Sequence, residues 1–147
     1  MPLTTEALLD VNILIASVFE DHLHHSRARL FVEALEHFYT CPTTQGGFLR
    51  FATRPWKDQE KRDQPPRLTM ADAHGKLLAL TAAEGHVFLP DDLSFIDLSL
   101  RSMSGHRQWT DAYLLKLASR HRLRFASIES RMSNLDDPAS PALLVVP

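Results

Sequence analysis

Acidic side chains occur at three places in the sequence where a metal-dependent reaction could be built. Asp10 follows a short apolar run, Asp111 comes directly after Trp109 and Thr110, and Glu129 follows another apolar run. Three carboxylates at one edge of a fold would repel one another unless a cation neutralised them. Mg²⁺ and Mn²⁺ prefer oxygen ligands and keep bound waters, so they can activate water and stabilise a phosphoryl transition state. We therefore expect an acidic metal site suited to phosphodiester cleavage.

Each acid also has a purely structural interpretation. Asp10 could be the N-cap of a following helix, and Asp111 could stabilise a helix from within its first turn. Glu129 could be a surface glutamate in a loop. Residue types alone leave these alternatives open.

Charge is distributed unevenly along the chain, although the formal net charge is only −2. Residues 1–36 are mainly acidic and residues 101–131 are mainly basic. A basic face beside acidic residues could bind phosphates while the acids hold metal. The alternative is a set of ordinary solvated helix faces.

The elements that must position these residues alternate between strand and helix. Short apolar runs predict strands at residues 7–9, 37–40, 86–89, 124–127 and, less regularly, 142–146. Helical patterns occur at residues 13–19, 26–36, 45–51 (capped by Thr43 or Thr44), 69–84 (capped by Thr69) and 109–121 (capped by Thr110). Residues 53–66, rich in proline and charge, suit a mobile loop. This alternation predicts an α/β fold with a parallel sheet, whose ligands bind at the carboxyl ends of the strands.

Length and composition fit one globular domain spanning residues 1–147, with 44% hydrophobic and 23% charged residues. The single cysteine, Cys41, excludes an intrachain disulfide and a cysteine-based zinc site, which fits a reducing cytoplasm. The first residues lack the basic region of a signal peptide, and no apolar run reaches the roughly 20 residues of a membrane helix. A membrane protein is therefore not expected.

Four segments together resemble the PIN-domain family, and most closely the VapC-type toxins of bacterial toxin–antitoxin pairs. In chain order they are LLDVN (residues 8–12), CPTTQGGFLR (residues 41–50), PDDLS (residues 90–94) and TDAYLL (residues 110–115). LLDVN alone is a weak motif, but the order and spacing of all four are specific. The resemblance covers residues 8–131, which is nearly the whole chain.

The resemblance implies a three-layer α/β/α fold with a central parallel sheet of four or five strands. It implies a Mg²⁺- or Mn²⁺-dependent endoribonuclease that cuts structured RNA such as tRNA or rRNA. It also implies a homodimer and inhibition by a cognate VapB-like antitoxin. Asp10 and Asp111 match the metal-binding aspartates of the family. The remaining predicted site residues are Gln45 and Glu129 in catalysis, and Asn12, Arg50 and Thr110 in substrate binding.

Two positions depart from the family pattern. Gln45 stands where the family often has glutamate, and Glu129 stands where related toxins often have aspartate. The site therefore has at least one negative charge fewer than the fuller pattern, unless Asp92 compensates; Asp92 could equally cap a helix over residues 93–98. A catalytically weak or inactive RNA- or protein-binding module is the alternative function.

Overall fold

The computed structural model describes residues 4–147, which form seven strands and five α-helices. The strands are β1 (Glu6–Leu9), β2 (His37–Thr40), β3 (Trp56–Lys57), β4 (Asp63–Gln64), β5 (His86–Phe88), β6 (Arg124–Ser127) and β7 (Leu143–Val145). The helices are α1 (Val11–Val18), α2 (His25–Ala34), α3 (Pro42–Thr53), α4 (Met70–Thr81) and α5 (Trp109–Arg120). Short 3-10 helices cover Phe95–Asp97, His106–Gln108 and Ser133–Leu135. No helix within residues 4–147 has the length and apolar character needed to cross a membrane.

Five strands form one sheet in the order β5-β2-β1-β6-β7, and every neighbouring pair is parallel. The central strand β1 is apolar on both faces, with Ala7, Leu8 and Leu9 fully buried, as expected for a parallel strand covered by helices. Leu9 lies opposite Ala126 of β6. The next residue on each strand, Asp10 and Ser127, therefore comes to the same carboxyl edge.

Two apolar clusters, one on each face of the sheet, complete three layers. Leu8 and Phe125 pack with Leu114 and Leu117 of α5 on one face. The other face carries α1 to α4, whose buried residues include Ile13, Leu14, Ala28, Phe48 and Ala73. The predicted three-layer fold is confirmed, and the sheet has five strands.

Two predicted helix caps are wrong. Helix α3 begins at Pro42 rather than near Gln45, because proline suits the first helical position, where its missing N–H is not needed. Cys41 occupies the cap position, and Thr44 lies inside the helix, where its hydroxyl accepts a hydrogen bond from the Cys41 amide at 3.0 Å. Helix α5 begins at Trp109, so Thr110 is its second residue and not its cap.

The segment predicted as a mobile loop contains the short antiparallel hairpin β3–β4. The Asp58 carboxylate organises its turn by accepting hydrogen bonds from the amides of Glu60 and Arg62, both at 2.9 Å. The guanidinium of Arg67 lies 4.3 Å from the ring centre of Trp56 and holds the hairpin against the body of the protein. Helix α4 also ends earlier than predicted, at Thr81.

Gly47 allows α3 to approach the beginning of α1 closely. A Cβ atom at Gly47 would lie 2.6 Å from Cγ2 of Val11, the residue after Asp10. Gly47→Ala is therefore expected to lower the free energy of unfolding by about 1 kcal/mol, because overpacking outweighs the helix propensity that alanine adds. Gly75→Ala in α4 is the control, since a Cβ there meets nothing within 4 Å. Urea unfolding should show opposite signs for the two variants; stabilisation by both would contradict a close contact at Gly47.

Candidate active site

Asp10 is held at the carboxyl end of β1 by hydrogen bonds to both carboxylate oxygens. Oδ1 accepts a hydrogen bond from the Val11 amide at 2.7 Å, and Oδ2 accepts one from the Ser127 hydroxyl at 2.8 Å. The residue is only 7% exposed. Asp10 is thus the N-cap of α1 and also lies at the edge where parallel sheets bind ligands, so its two interpretations are compatible.

Burial gives Asp10 an unusual pKa. Loss of solvent raises the pKa to about 6, and repulsion from Asp111 adds a smaller contribution in the same direction. The hydrogen bonds from Ser127 and Val11, and the positive charge of Arg131, act against this rise. A divalent cation would stabilise the ionised carboxylate, so the Asp10 carboxyl group would lose its proton more readily.

Ser127, which the sequence did not single out, connects Asp10 to its neighbours. Its hydroxyl donates to Asp10 and accepts hydrogen bonds from Asn12 Nδ2 at 2.9 Å and from the Glu129 amide at 3.1 Å. Asn12 Oδ1 in turn accepts a hydrogen bond from the Ile128 amide at 3.3 Å. Asn12 therefore uses both ends of its amide to join α1 to the end of β6, and in this arrangement it supports the site.

Asp111 lies in the first turn of α5, as predicted, and is half-buried. Burial raises its pKa, attraction to Arg131 lowers it, and repulsion from Glu129 raises it further. Glu129 itself is exposed and forms an ion pair with Arg131, in which Nε lies 2.8 Å from Oε2. Neighbouring charges thus act on both aspartates. Arg131 lowers the pKa of Asp10 and of Asp111, Asp111 raises that of Asp10, and Glu129 raises that of Asp111.

The other predicted site residues differ in their surroundings. Gln45 is half-buried in the first turns of α3 and donates a hydrogen bond from Nε2 to Thr40 Oγ1 at 3.0 Å. Arg50 and Thr110 are exposed, so both are accessible to a large substrate. Thr110 directly precedes Asp111 on α5.

Asp92 does not compensate for the missing charge. Its carboxylate pairs with His121 Nε2 at 2.9 Å, and His121 follows the last turn of α5. Asp111 is at the opposite end of this helix, roughly 15 Å away along the axis. Asp92 does not cap a helix either, because Ser94 caps the 3-10 helix Phe95–Asp97 by accepting from the Ile96 amide.

The donor set fits a hard divalent cation, although it is sparse. Within residues 4–147 no group of three or more histidine, cysteine, aspartate or glutamate side chains is arranged to hold a metal ion. The two aspartates, Asp10 and Asp111, would supply carboxylate oxygens from groups with raised pKa values, and Gln45, half-buried on α3, carries a neutral amide oxygen. Oxygen donors with few charges suit Mg²⁺ or Mn²⁺ that keeps several waters.

Comparison with known proteins identifies the family of this chain. Residues 7–138 match the PIN domain family. Ribonuclease VapC38 of Mycobacterium tuberculosis is 38% identical over 143 residues, which cover 95% of this chain and 97% of the relative. Ribonuclease VapC29 of the same species is 37% identical over 129 residues, covering 87% and 89%. The chain therefore belongs to the PIN-domain family, and its relatives include ribonucleases of the VapC type.

The fold is also similar to a solved toxin structure. VapBC2 from Rickettsia felis, crystallised with a DNA fragment from its promoter, matches with a TM-score of 0.65 over 95% of this chain and 98% of the matched chain. Sequence identity in this match is 10%, so the likeness concerns the fold.

Proposed function

We propose that this protein is a Mg²⁺- or Mn²⁺-dependent endoribonuclease of the VapC type that cuts structured RNA such as tRNA or rRNA. The observation that carries the proposal is the pair of aspartates, Asp10 and Asp111, partly buried at one sheet edge with raised pKa values. Carboxylates arranged in this way are poorly solvated alone and favour a cation. The two ribonuclease relatives support RNA as the substrate.

The protein's own residues would orient the reaction. When bound, the metal supplies an activated water and offsets charge on the phosphate. Hydrogen bonds from Val11 and Ser127 fix the direction of the Asp10 carboxylate, and the N-terminal end of α5 favours an ionised Asp111. With a pKa of about 6, Asp10 is mostly ionised at neutral pH. Glu129 would place a further negative charge at the edge of the site. Arg50 and Thr110 are the proposed substrate contacts, whereas Asn12, also predicted to contact substrate, is proposed to act by holding Ser127.

The proposal includes partners. A VapB-like antitoxin would neutralise the enzyme, as the toxin–antitoxin complexes among the structural neighbours suggest. We further propose a homodimer acting in the cytoplasm. Co-expression with a cognate VapB-like antitoxin should yield a complex without ribonuclease activity.

Asp111→Asn tests the metal site directly. The substitution keeps the size of the side chain and removes its charge. The affinity for Mn²⁺, measured by calorimetry, should therefore fall, and the rate of RNA cleavage should fall by roughly 100-fold. Asp72→Asn is the matched control, because Asp72 also lies in the first turn of a helix, α4, but away from the site. Unchanged Mn²⁺ binding in folded Asp111→Asn would contradict the proposal.

A binding module without catalysis is the second candidate, favoured by the neutral Gln45. It predicts RNA or protein binding by the parent protein with no Mn²⁺-dependent cleavage. Sequencing of RNA ends after induced expression separates the two, since only the nuclease leaves new ends at defined positions.

A further inference from the structure

The Thr40 hydroxyl links Gln45 to a residue on another strand. Thr40 is the last residue of β2 and is fully buried. Its Oγ1 lies 2.7 Å from His86 Nε2 of β5 and 3.0 Å from Gln45 Nε2 of α3. One hydroxyl therefore has a nitrogen partner on each side.

The direction of these hydrogen bonds follows from His86. Burial lowers the pKa of His86, while a hydrogen bond to the Thr81 backbone acts in the opposite direction. A neutral imidazole carries one N–H, and with that proton on Nδ1, toward the Thr81 backbone, Nε2 is the acceptor that faces Thr40. The Thr40 proton must then point at His86, which leaves a lone pair of Oγ1 to accept from Gln45.

We propose that Thr40 and His86 are positioning residues that turn the Gln45 amide nitrogen inward and leave its Oε1 as the free acceptor for the metal site. This rests on the proposed function. Gln45 lies at the same carboxyl edge as Asp10, because β1 and β2 are neighbours and α3 begins directly after β2. Within the described residues, Oε1 takes part in none of the hydrogen bonds that Gln45 forms.

The same series of hydrogen bonds, from Gln45 through Thr40 to His86, explains why glutamine suits position 45. A glutamate has no N–H to give Thr40, so Thr40 would have to turn its own proton toward the carboxylate. His86 Nε2 would then need a proton while its other nitrogen still donates to the Thr81 backbone. With glutamate at position 45, keeping these contacts therefore requires a protonated His86, whose charge partly cancels the charge that glutamate adds to the edge.

Proton NMR with ¹⁵N detection of the imidazole ring tests this in three proteins: the parent, Gln45→Glu, and Gln45→Glu combined with Thr40→Val. In the parent, His86 should carry its proton on Nδ1. Gln45→Glu should raise the pKa of His86, with proton binding about tenfold tighter. Most of that rise should disappear in the double variant, because valine cannot relay the proton. Gln59 is an exposed residue of the hairpin, so Gln59→Glu adds the same charge without the hydrogen bonds to Thr40 and His86. It should leave the pKa of His86 unchanged.

Two results would overturn the proposal: a parent His86 with its proton on Nε2, or a pKa rise that persists fully in the double variant. The first measurement needs no substitution, so it stands even if Thr40→Val fails to fold. Thr40→Ser keeps the hydroxyl and should behave as the parent. If the hydrogen bonds are as proposed, Thr40→Val should lower kcat for RNA cleavage by roughly 3- to 10-fold with KM unchanged. Absence of cleavage by the parent would contradict the proposed function and not the NMR result.

Discussion

Asp10→Asn is expected to fold like the parent protein and to cleave RNA at least ~100-fold more slowly in Mn²⁺. Asparagine is as good an N-cap as aspartate, so its oxygen can still accept from the Val11 amide and hold the beginning of α1. What disappears is the negative charge next to Asp111. The loss should therefore appear in catalysis and in Mn²⁺ affinity, and not in the circular dichroism spectrum.

Asp63→Asn is a suitable control for this experiment. Asp63 is an exposed hairpin acid paired with Lys57, and its neutralisation changes the net charge equally. It should leave cleavage within about twofold of the parent, since an exposed ion pair contributes little. Full cleavage by a folded Asp10→Asn protein would show that Asp10 has no part in the reaction.

The second large effect concerns stability and pH. Because folding raises the pKa of Asp10 from 3.8 to about 6, the unfolded chain ionises first, and stability falls as pH rises through this window. Above it, the buried charge destabilises the metal-free protein by up to about 3 kcal/mol. The raised pKa of Asp111 acts in the same direction.

Urea unfolding in EDTA measures this effect by comparison of the parent with Asp10→Asn. Near pH 7 the variant should be more stable by roughly 1–3 kcal/mol, and near pH 4 the difference should vanish. Added Mn²⁺ should stabilise the parent and not the variant. A parent protein whose stability rises between about pH 4 and about pH 6 relative to Asp10→Asn would contradict a raised pKa at Asp10.

Sequence patterns predicted the order of the main elements well because burial on both faces leaves a plain signal. The run Ala7-Leu8-Leu9 has no polar interruption, and a central parallel strand, covered on both faces, places such a run in the core. Once β1 and β6 are recognised, Asp10 follows at the right edge without any side-chain detail. The prediction was wrong at the beginning of α3, where several residues could serve as the cap. Thr43 or Thr44 was predicted as the cap, but the helix begins at Pro42 and Cys41 occupies the cap position.

The polar contacts of the site could not be predicted from the sequence, because they join residues that are far apart along the chain. Ser127 gains its role only by lying next to Asp10 across β1 and β6, and nothing in a serine at a strand end signals this. The orientation of Gln45 depends on Thr40 and His86, which are brought together by strand pairing. Asp92 looked close to the site because it follows a strand, yet its partner is His121 at the far end of α5.

The position of β1 in the sheet also bears on when the candidate site can assemble during synthesis. Among the five strands of this sheet β1 is made first, yet one of its two neighbours, β6, is encoded more than 110 residues later, so pairing them closes a long loop. The hydrogen bond from Ser127 to Asp10 cannot form before that pairing. The candidate site is therefore unassembled until β6 has been made, and a protein with the proposed nuclease function would be inactive for most of its own elongation.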